Sequence, residues 1–226
     1  MEPELHAMAP HGVTVHTARI YLPQSSIGSP EEARSAVEAF QTALDVAIRD
    51  IATAEIDHLI IGVSALSFMG GLAGSRRFEE RLKTSVGVPV TTAAAAAAKA
   101  LRHYDVKRIG ILSPHPAMLD VHYTRFFAEA GYEVVELHHL DCPTTLSIAM
   151  VDEATIRRAL HHLGDLGAEA IVQVGTDLAM IRLADEAERW LGKPVLAVNA
   201  VVLWHALRAC KIPDPLFHSG AILRDR

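Results

Sequence analysis

The sequence predicts an α/β protein built from parallel sheets that are covered by helices. Short apolar runs rich in β-branched residues alternate with longer segments of helical periodicity along its 226 residues. Most of these runs are apolar at nearly every position, which favours strands that are buried on both faces. Half of the residues are apolar, so the chain can form one large core or two smaller ones.

Seven segments are predicted to be strands, and they are residues 13–20, 58–62, 88–91, 108–112, 133–137, 170–174 and 195–198. Two stretches share a Gly-x-Pro-Val sequence, in which the glycine ends a helical pattern and a predicted strand follows. They begin at Gly87 and at Gly192. This similarity predicts two similar halves that end near Thr92 and Val198.

Helices are predicted between the strands, over residues 30–52, 71–85, 93–103, 117–130, 152–167, 182–191 and 200–209. The first has the clearest start, because Ser29 can cap it and Pro30 and two glutamates occupy its first turn. The alanine run 93–98 is expected to begin a tightly packed helix and not to form a linker.

Composition favours a small-molecule partner. The formal net charge is −6 with no block of like charge, which argues against binding to nucleic acid or to an anionic membrane. The longest apolar stretches, residues 88–98 and 194–203, are shorter than the roughly 20 residues of a bilayer-spanning helix. The first residues lack the pattern of a secretory signal, so we expect a cytoplasmic protein. Cys142 and Cys210 have no metal-ligand spacing and are expected to be reduced structural thiols.

Three loops at the carboxyl ends of predicted strands are candidates for function, because ligands bind there in open parallel sheets. The first, residues 62–71, is small, bears hydroxyls and runs into a helix, so its N–H groups could face an anion. Such turns are also common without a ligand. The second holds His115 between Pro114 and Pro116, which stiffen the backbone around a possible proton carrier. The third contains Thr176 and Asp177, and Asp177 could be catalytic or simply cap the next helix.

Other motifs indicate no cofactor. The histidine pairs at 138–139 and 161–162 suggest a metal, but adjacent side chains diverge, and no HExxH motif or carboxylate-rich partner accompanies them. We interpret these pairs as solvated surface. The glycines of residues 70–74 lack the spacing of a dinucleotide-binding or phosphate-binding loop. We therefore expect neither a metal nor an organic cofactor.

The order and content of the three loops resemble the aspartate/glutamate racemase superfamily, nearest its maleate isomerase and arylmalonate decarboxylase branch. Residues 63–68 are similar to a Gly-Thr-Ser-Leu-Ser-Phe loop of the decarboxylases. Ser113, Pro114 and His115, followed by Asp120, are similar to Thr-Pro-Tyr and a downstream Asn of the isomerases. Residues 126–134 and the stretch from Asn199 to residue 204 also resemble that branch. The resemblance spans nearly the whole chain.

The resemblance implies two pseudo-symmetric flavodoxin-like lobes, each with a four-stranded parallel sheet, and a pocket for a small carboxylate between them. Residues 1–95 with 199–226 would form one lobe and residues 96–198 the other. In the isomerases a further strand and loop precede a segment similar to residues 1–5. We therefore expect the first strand to be missing, most simply because the start codon is assigned too far downstream. The relatives also suggest a homo-oligomer.

The resemblance further implies which residues form the site, and it places Val63 and Gly175 where the superfamily has its two catalytic cysteines. Neither side chain can transfer a proton. His115, Asp177 and Thr176 are therefore the candidate catalytic residues, and His115 is preferred because its ordinary pKa of about 6.5 suits proton transfer near neutrality. It could instead be a positively charged anchor. The candidate substrate-binding residues are Val63, Ser64, Ala65, Ser67, Ser113, Asp120, Gly175 and Asn199.

Three functions remain open at this point. The first is a cofactor-independent isomerase or decarboxylase acting on a small carboxylic or dicarboxylic acid, with an enolate held by loop N–H and hydroxyl groups. The second is a non-catalytic protein that binds small carboxylates. The third is a hydrolase of a cyclic amide, in which an acid and a histidine activate water.

Overall fold

A computed structural model describes residues 1–21 and 26–225, and it confirms the predicted α/β class, with two parallel sheets flanked by helices. A 3-10 helix at Ala117–Leu119 precedes the sixth α-helix. The described α-helices are α1 (Glu2–Met8), α2 (Pro30–Ala52), α3 (Ser64–Phe68), α4 (Gly71–Val86), α5 (Ala93–His103), α6 (Asp120–Glu129), α7 (Thr145–Ala149), α8 (Glu153–Asp165), α9 (Ile181–Leu191), α10 (Val198–Ala209) and α11 (Ala221–Arg224).

The smaller sheet contains two parallel strands, β1 (Leu59–Ile60) and β2 (Val90–Thr91). The larger sheet contains β3 (Arg108–Ser113), β4 (Glu133–His139), β5 (Ala170–Gln173) and β6 (Val195–Ala197), all parallel, in the order β4-β3-β5-β6. Every strand predicted between residues 108 and 198 is formed, within two residues at each end. The central strand β5 is buried throughout, as its continuous apolar run predicts.

The four strands expected for the first lobe are not formed in the described part of the chain, where its sheet has only two. The strand predicted over residues 13–20 is wrong, because this segment pairs with neither sheet. Val13 and Val15 do pack, half-buried, against the main core, and Ile20 packs against the smaller one. An alternating pattern reports which side chains are buried, but a strand also needs a neighbour with free backbone groups.

The two sheets are joined through α5 and α10. Helix α10 follows β6 of the larger sheet and yet contacts α5, β1 and β2 of the smaller one. Six of the seven alanines of α5 are buried, and their small side chains let the two helices approach closely. This arrangement aligns the carboxyl ends of both sheets across one cleft.

Four of the short helices, α1, α3, α7 and α11, were not predicted. Each has seven or fewer residues, which is too short for helical periodicity to be recognised. Helix α3 matters for function because it begins directly at the turn after β1. Among the described residues, no helix combines the length and the apolar character that crossing a membrane requires.

Candidate active site between the two sheets

A cleft of about 1260 Å³ opens at the carboxyl ends of the strands. Its lining includes all three loops predicted to carry function, through Val63, Ser64 and Ala65, then His115, then Thr176 and Asp177. The cleft exceeds the roughly 300–1,000 Å³ of a typical ligand pocket. The excess arises because it continues along residues 12–20 and across the smaller sheet.

The first turn presents backbone groups and one buried hydroxyl to the cleft. Ser64 and Ala65 are the first two residues of α3, and N–H groups at this position have no acceptor within the helix. Ser64 is also buried. The Ser67 hydroxyl, in contrast, donates to the Ser64 carbonyl at 2.6 Å and accepts from the Ala94 N–H at 3.1 Å. Ser67 therefore fastens α3 to the start of α5 and is not among the residues that line the cleft.

His115 reaches the cleft from a buried loop, with 9% of its surface exposed. Its backbone N–H donates to the Ser113 hydroxyl at 3.2 Å, which fixes the turn after β3. Its Nδ1 lies 2.8 Å from the Tyr123 hydroxyl, so Nε2 is the nitrogen left for a ligand. Burial lowers the pKa of His115 to about 4, because the charged imidazolium would lose its hydration. His115 is thus neutral near pH 7, which disfavours a permanently charged anchor.

Tyr123 is a positioning residue that sequence reasoning missed. Its ring is stacked beside His115 and meets Phe68 of α3 edge to face, at a centroid distance of 5.1 Å. Burial raises the pKa of the Tyr123 phenol, so its proton stays in place at all working pH values. The contact with Phe68 links the loop of His115 to the first turn. The sequence gives only a weak signal for Tyr123, namely its place on the helix that follows the His115 loop.

The second turn is packed against the loop that carries His115. A Cβ atom at Gly175 would lie far inside van der Waals contact with Cγ of Pro114 and 2.7 Å from its Cδ. A proline ring has little freedom to move aside, so glycine is required here by packing. Gln173 holds the turn from behind, since its side chain donates to the Gly175 carbonyl and accepts from the Val198 N–H at 3.1 Å.

Thr176 connects the two turns across the cleft. Its hydroxyl donates to the carbonyl of Gly62, at the end of the smaller sheet, over 2.5 Å. While this bond holds, the Thr176 oxygen can accept but not donate, so its side chain cannot also donate to a substrate carboxylate. Its backbone N–H remains the candidate anion contact.

Asn199 supports the second turn from below and does not line the cleft. Its side-chain amide donates to the Thr176 carbonyl at 2.9 Å and to Glu4 at 2.6 Å. Glu4 in turn accepts from the N–H of Ile181 at 3.0 Å. Glu4 was not singled out from the sequence, because its partners are almost 200 residues away along the chain.

Two acidic candidates have different surroundings. Asp177 lines the cleft and keeps an exposed surface, yet the surrounding protein displaces enough water to raise the pKa of its carboxyl. Asp120 does not line the cleft, and its Oδ2 lies 3.2 Å from Nδ1 of His139. Burial also raises the pKa of Asp120, and its Oδ1 is buried without a hydrogen-bond partner. Asp177 is the carboxylate that a ligand could reach.

Neither cysteine lies at residues 63 or 175, the positions after β1 and β5 where the resemblance places the catalytic cysteines of the superfamily. Cys142 is buried outside the cleft, its backbone N–H donates to the Pro114 carbonyl at 3.1 Å, and burial raises the pKa of its thiol. Cys210 lies after the last residue of α10, at the far end of the cleft, and burial raises the pKa of its thiol as well. In the part of the chain that the structure describes, neither His115 nor Asp177 belongs to a group of metal-ligating side chains.

Comparison with known proteins fixes the family. The family model described as arylmalonate decarboxylase matches residues 36–220, which is most of the chain. The chain belongs to the arylmalonate decarboxylase family. This family membership confirms the resemblance noted in the three loops.

Individual relatives of this family member are maleate isomerases and arylmalonate decarboxylases. A maleate isomerase from Pseudomonas putida is 25% identical over 96% of this chain and 86% of its own length. A Nocardia farcinica maleate cis-trans isomerase, solved as a cysteine-to-serine mutant with a covalently bound succinylcysteine intermediate, has a TM-score of 0.89 at 19% identity, covering 99% of this chain and 91% of its own. A liganded arylmalonate decarboxylase mutant has a TM-score of 0.79 at 20% identity, covering 88% and 84%. These structures share the two-lobed fold.

Proposed function

We propose that the cleft binds a small organic acid by its carboxylate and catalyses proton transfer at the neighbouring carbon, with His115 as the proton carrier and no cofactor. Homology to maleate isomerases and arylmalonate decarboxylases supports an isomerase-like or decarboxylase-like enzyme. The observation that carries the residue-level proposal is that a buried histidine, held at one nitrogen by Tyr123, lines the same cleft as both strand-end turns.

The two turns would hold the negative charge. The proposed donors are the N–H groups of Ser64 and Ala65 on one side and of Thr176 and Asp177 on the other, because all four residues line the cleft and the first two begin α3. Donors fixed before the substrate arrives stabilise an enolate more than water does, because they need no reorientation as the charge develops. No metal is required for this stabilisation.

His115 would move the proton. When its Nδ1–H donates to Tyr123, Nε2 is free to take a proton from the carbon beside the carboxylate, and the electron pair moves into the enolate. Return of the proton to the opposite face of that carbon, after the planar enolate has turned in the cleft, or to another carbon of the enolate, completes a racemisation or an isomerisation. In a decarboxylation, loss of CO₂ leaves the enolate and the imidazolium supplies the proton. A bound carboxylate stabilises this imidazolium and raises its pKa from about 4 towards neutrality.

Asp177 is the second candidate proton carrier, because burial raises the pKa of its carboxyl and it lines the same cleft. Its surface is exposed, and among the described residues no side chain holds it by a hydrogen bond as Tyr123 holds His115, so it is the less precisely positioned of the two. Replacing each residue separately distinguishes the two roles, because Asp177→Asn removes the base and keeps the shape.

The test is hydrogen–deuterium exchange and turnover in D₂O, followed by NMR over malonates, maleate, hydroxy acids and amino acids. Wild-type protein should exchange or convert at least one acid, His115→Gln should lose about 10²–10⁴-fold in rate, and Asp177→Asn should lose less. His122→Gln is the matched control, because His122 is half-buried nearby without lining the cleft.

Two outcomes would contradict this proposal. Thermal stabilisation of the wild-type protein by a carboxylate without any turnover would overturn catalysis and leave a carboxylate-binding protein. Full turnover by His115→Gln would reject His115 as the proton carrier, and loss of turnover in Asp177→Asn alone would assign that role to Asp177.

A further inference from the structure

Outside the cleft, three metal-ligating side chains converge on the edge of the larger sheet. Glu136 and His138 lie two residues apart on the edge strand β4, so their side chains share one face. His162 approaches from α8, which packs on that strand. Each of the three residues offers one ligand atom, and these atoms lie within 4.8 Å of one another.

The fold brings together the two histidine pairs that we interpreted from the sequence as solvated surface. Adjacent side chains do diverge, but one member of each pair comes to the same place, with the rings of His138 and His162 5.4 Å apart. Their neighbours are engaged elsewhere. His139 lies 3.2 Å from Asp120, and His161 stacks on the Trp190 ring at a centroid distance of 4.2 Å.

The distances suit a metal after small side-chain rotations. Oε1 of Glu136 lies 2.6 Å from Nε2 of His162 and 4.0 Å from Nδ1 of His138. Ligand atoms bonded at about 2.0–2.1 Å to one tetrahedral ion are separated by roughly 3.3 Å. The distance from Glu136 to His162 must therefore lengthen by about 0.7 Å, and the distance from Glu136 to His138 must shorten by about the same amount. The side chains are between a third and a half exposed, so they have room to do so.

The donor set favours a transition metal over Ca²⁺ or Mg²⁺. Two imidazole nitrogens and one carboxylate oxygen are the ligands of many zinc sites, whereas Ca²⁺ and Mg²⁺ prefer oxygen alone. Three protein ligands leave a fourth position for water. All three residues lie outside the lining of the cleft.

We propose that Glu136, His138 and His162 bind one divalent transition-metal ion, with Zn²⁺ the best fit. The ion takes the place of the hydrogen bond between Glu136 of β4 and His162 of α8, and it adds His138 to the same link. Because the ion binds only when both elements are in place, it stabilises the folded chain in proportion to its concentration. The site is independent of the chemistry proposed for the cleft.

The test is isothermal titration calorimetry of the metal-free full-length chain with Zn²⁺, together with thermal melts at increasing Zn²⁺. Wild-type protein should bind one Zn²⁺ per chain at this site and melt at a higher temperature as Zn²⁺ increases. His162→Gln and Glu136→Gln should weaken binding by more than tenfold, since even loss of an outer-shell partner costs about 10–100-fold. Neither should show the thermal shift.

The matched control is His161→Gln, which removes a histidine from the same helix and leaves the three ligands in place. It should bind Zn²⁺ as the wild type does. Equal binding by wild type and His162→Gln would overturn the proposal, because the ion would then be held by other surface histidines. Failure of the wild type to bind Zn²⁺ would overturn it as well.

Discussion

The two strand-end turns that face each other across the cleft differ in how much room they have. At the turn after β1, Val63 is half-buried and its side chain lines the cleft. At the turn after β5, Gly175 is packed under Pro114, where even one added carbon collides with the ring. The resemblance to the superfamily places these two residues at equivalent positions. Only the first position can hold a side chain without moving its neighbours.

The loop that carries His115 and the second turn depend on each other. Pro114 occupies the space that a side chain at residue 175 would need, and His115 follows it into the cleft. The loop can therefore keep this conformation, with His115 in the cleft, only while residue 175 is a glycine. In the proposed function, the proton carrier is in the loop, at His115, and not in the turn.

The largest expected effect is a loss of unfolding free energy in acid, caused by His115, which lies beside the tightly packed second turn. Burial holds the pKa of His115 at about 4 in the folded chain, below its ordinary 6.5, so the unfolded chain binds more protons in between. The part of the unfolding free energy that depends on neutral His115 is therefore fully present above pH 6.5, and it is lost as the pH drops towards 4. The contribution of His115 is about 3 kcal/mol.

Urea unfolding of wild type and His115→Gln at pH 7 and at pH 4 measures this contribution. The variant should lose less stability between the two pH values than the wild type. His205, whose pKa burial also lowers to about 4, remains in both proteins and so cancels in the comparison. Equal losses would show that His115 is solvated and that the second side of the cleft is as open as the first.

A cavity-filling pair tests the packing contrast itself. Gly175→Ala should destabilise the fold by about 1–3 kcal/mol, because its Cβ meets the Pro114 ring. In the background of Pro114→Ala the same change should cost much less, since Cγ and Cδ are gone. The measurement is a double-mutant cycle from urea unfolding. Additive effects of the two substitutions would contradict the close contact.

A smaller effect is expected where the two turns touch. Thr176→Val removes the hydrogen bond from the Thr176 hydroxyl to the Gly62 carbonyl and keeps the side-chain shape. The loss should be about 0.5–1.5 kcal/mol of unfolding free energy. Thr176→Ser keeps the hydroxyl and is the matched control. An unchanged stability of Thr176→Val would mean that the turns do not depend on this bond.

The larger sheet could be predicted from the sequence because β3, β5 and β6 are almost continuously apolar and clear helical segments separate its strands. Residues 13–20 could not be predicted, since Val13, Val15 and Ile20 are half-buried against the core but the backbone pairs with no strand. The hydrophobic pattern of a segment shows which side chains face the core. Strand pairing also requires a neighbouring strand, and the position of that strand cannot be read from the local sequence.

The site could be predicted to the level of its loops, because strand ends meet at one edge of a parallel sheet. Its supporting residues could not. Tyr123, Gln173 and Glu4 act through contacts fixed by the three-dimensional packing, and nothing in their local sequence indicates those partners. The close approach of Pro114 to Gly175 is likewise invisible along the chain.

The proposed catalysis acts on a carboxylic acid without a thiol. Its most direct test is the NMR exchange and turnover assay on the double variant Cys142→Ala/Cys210→Ala, which has no cysteine at all. We expect the rate per folded molecule to stay within about threefold of the wild type, since a change of under 0.7 kcal/mol in the barrier corresponds to that factor. A folded double variant whose rate falls a hundredfold would contradict this proposal and show that a cysteine thiol takes part in the reaction.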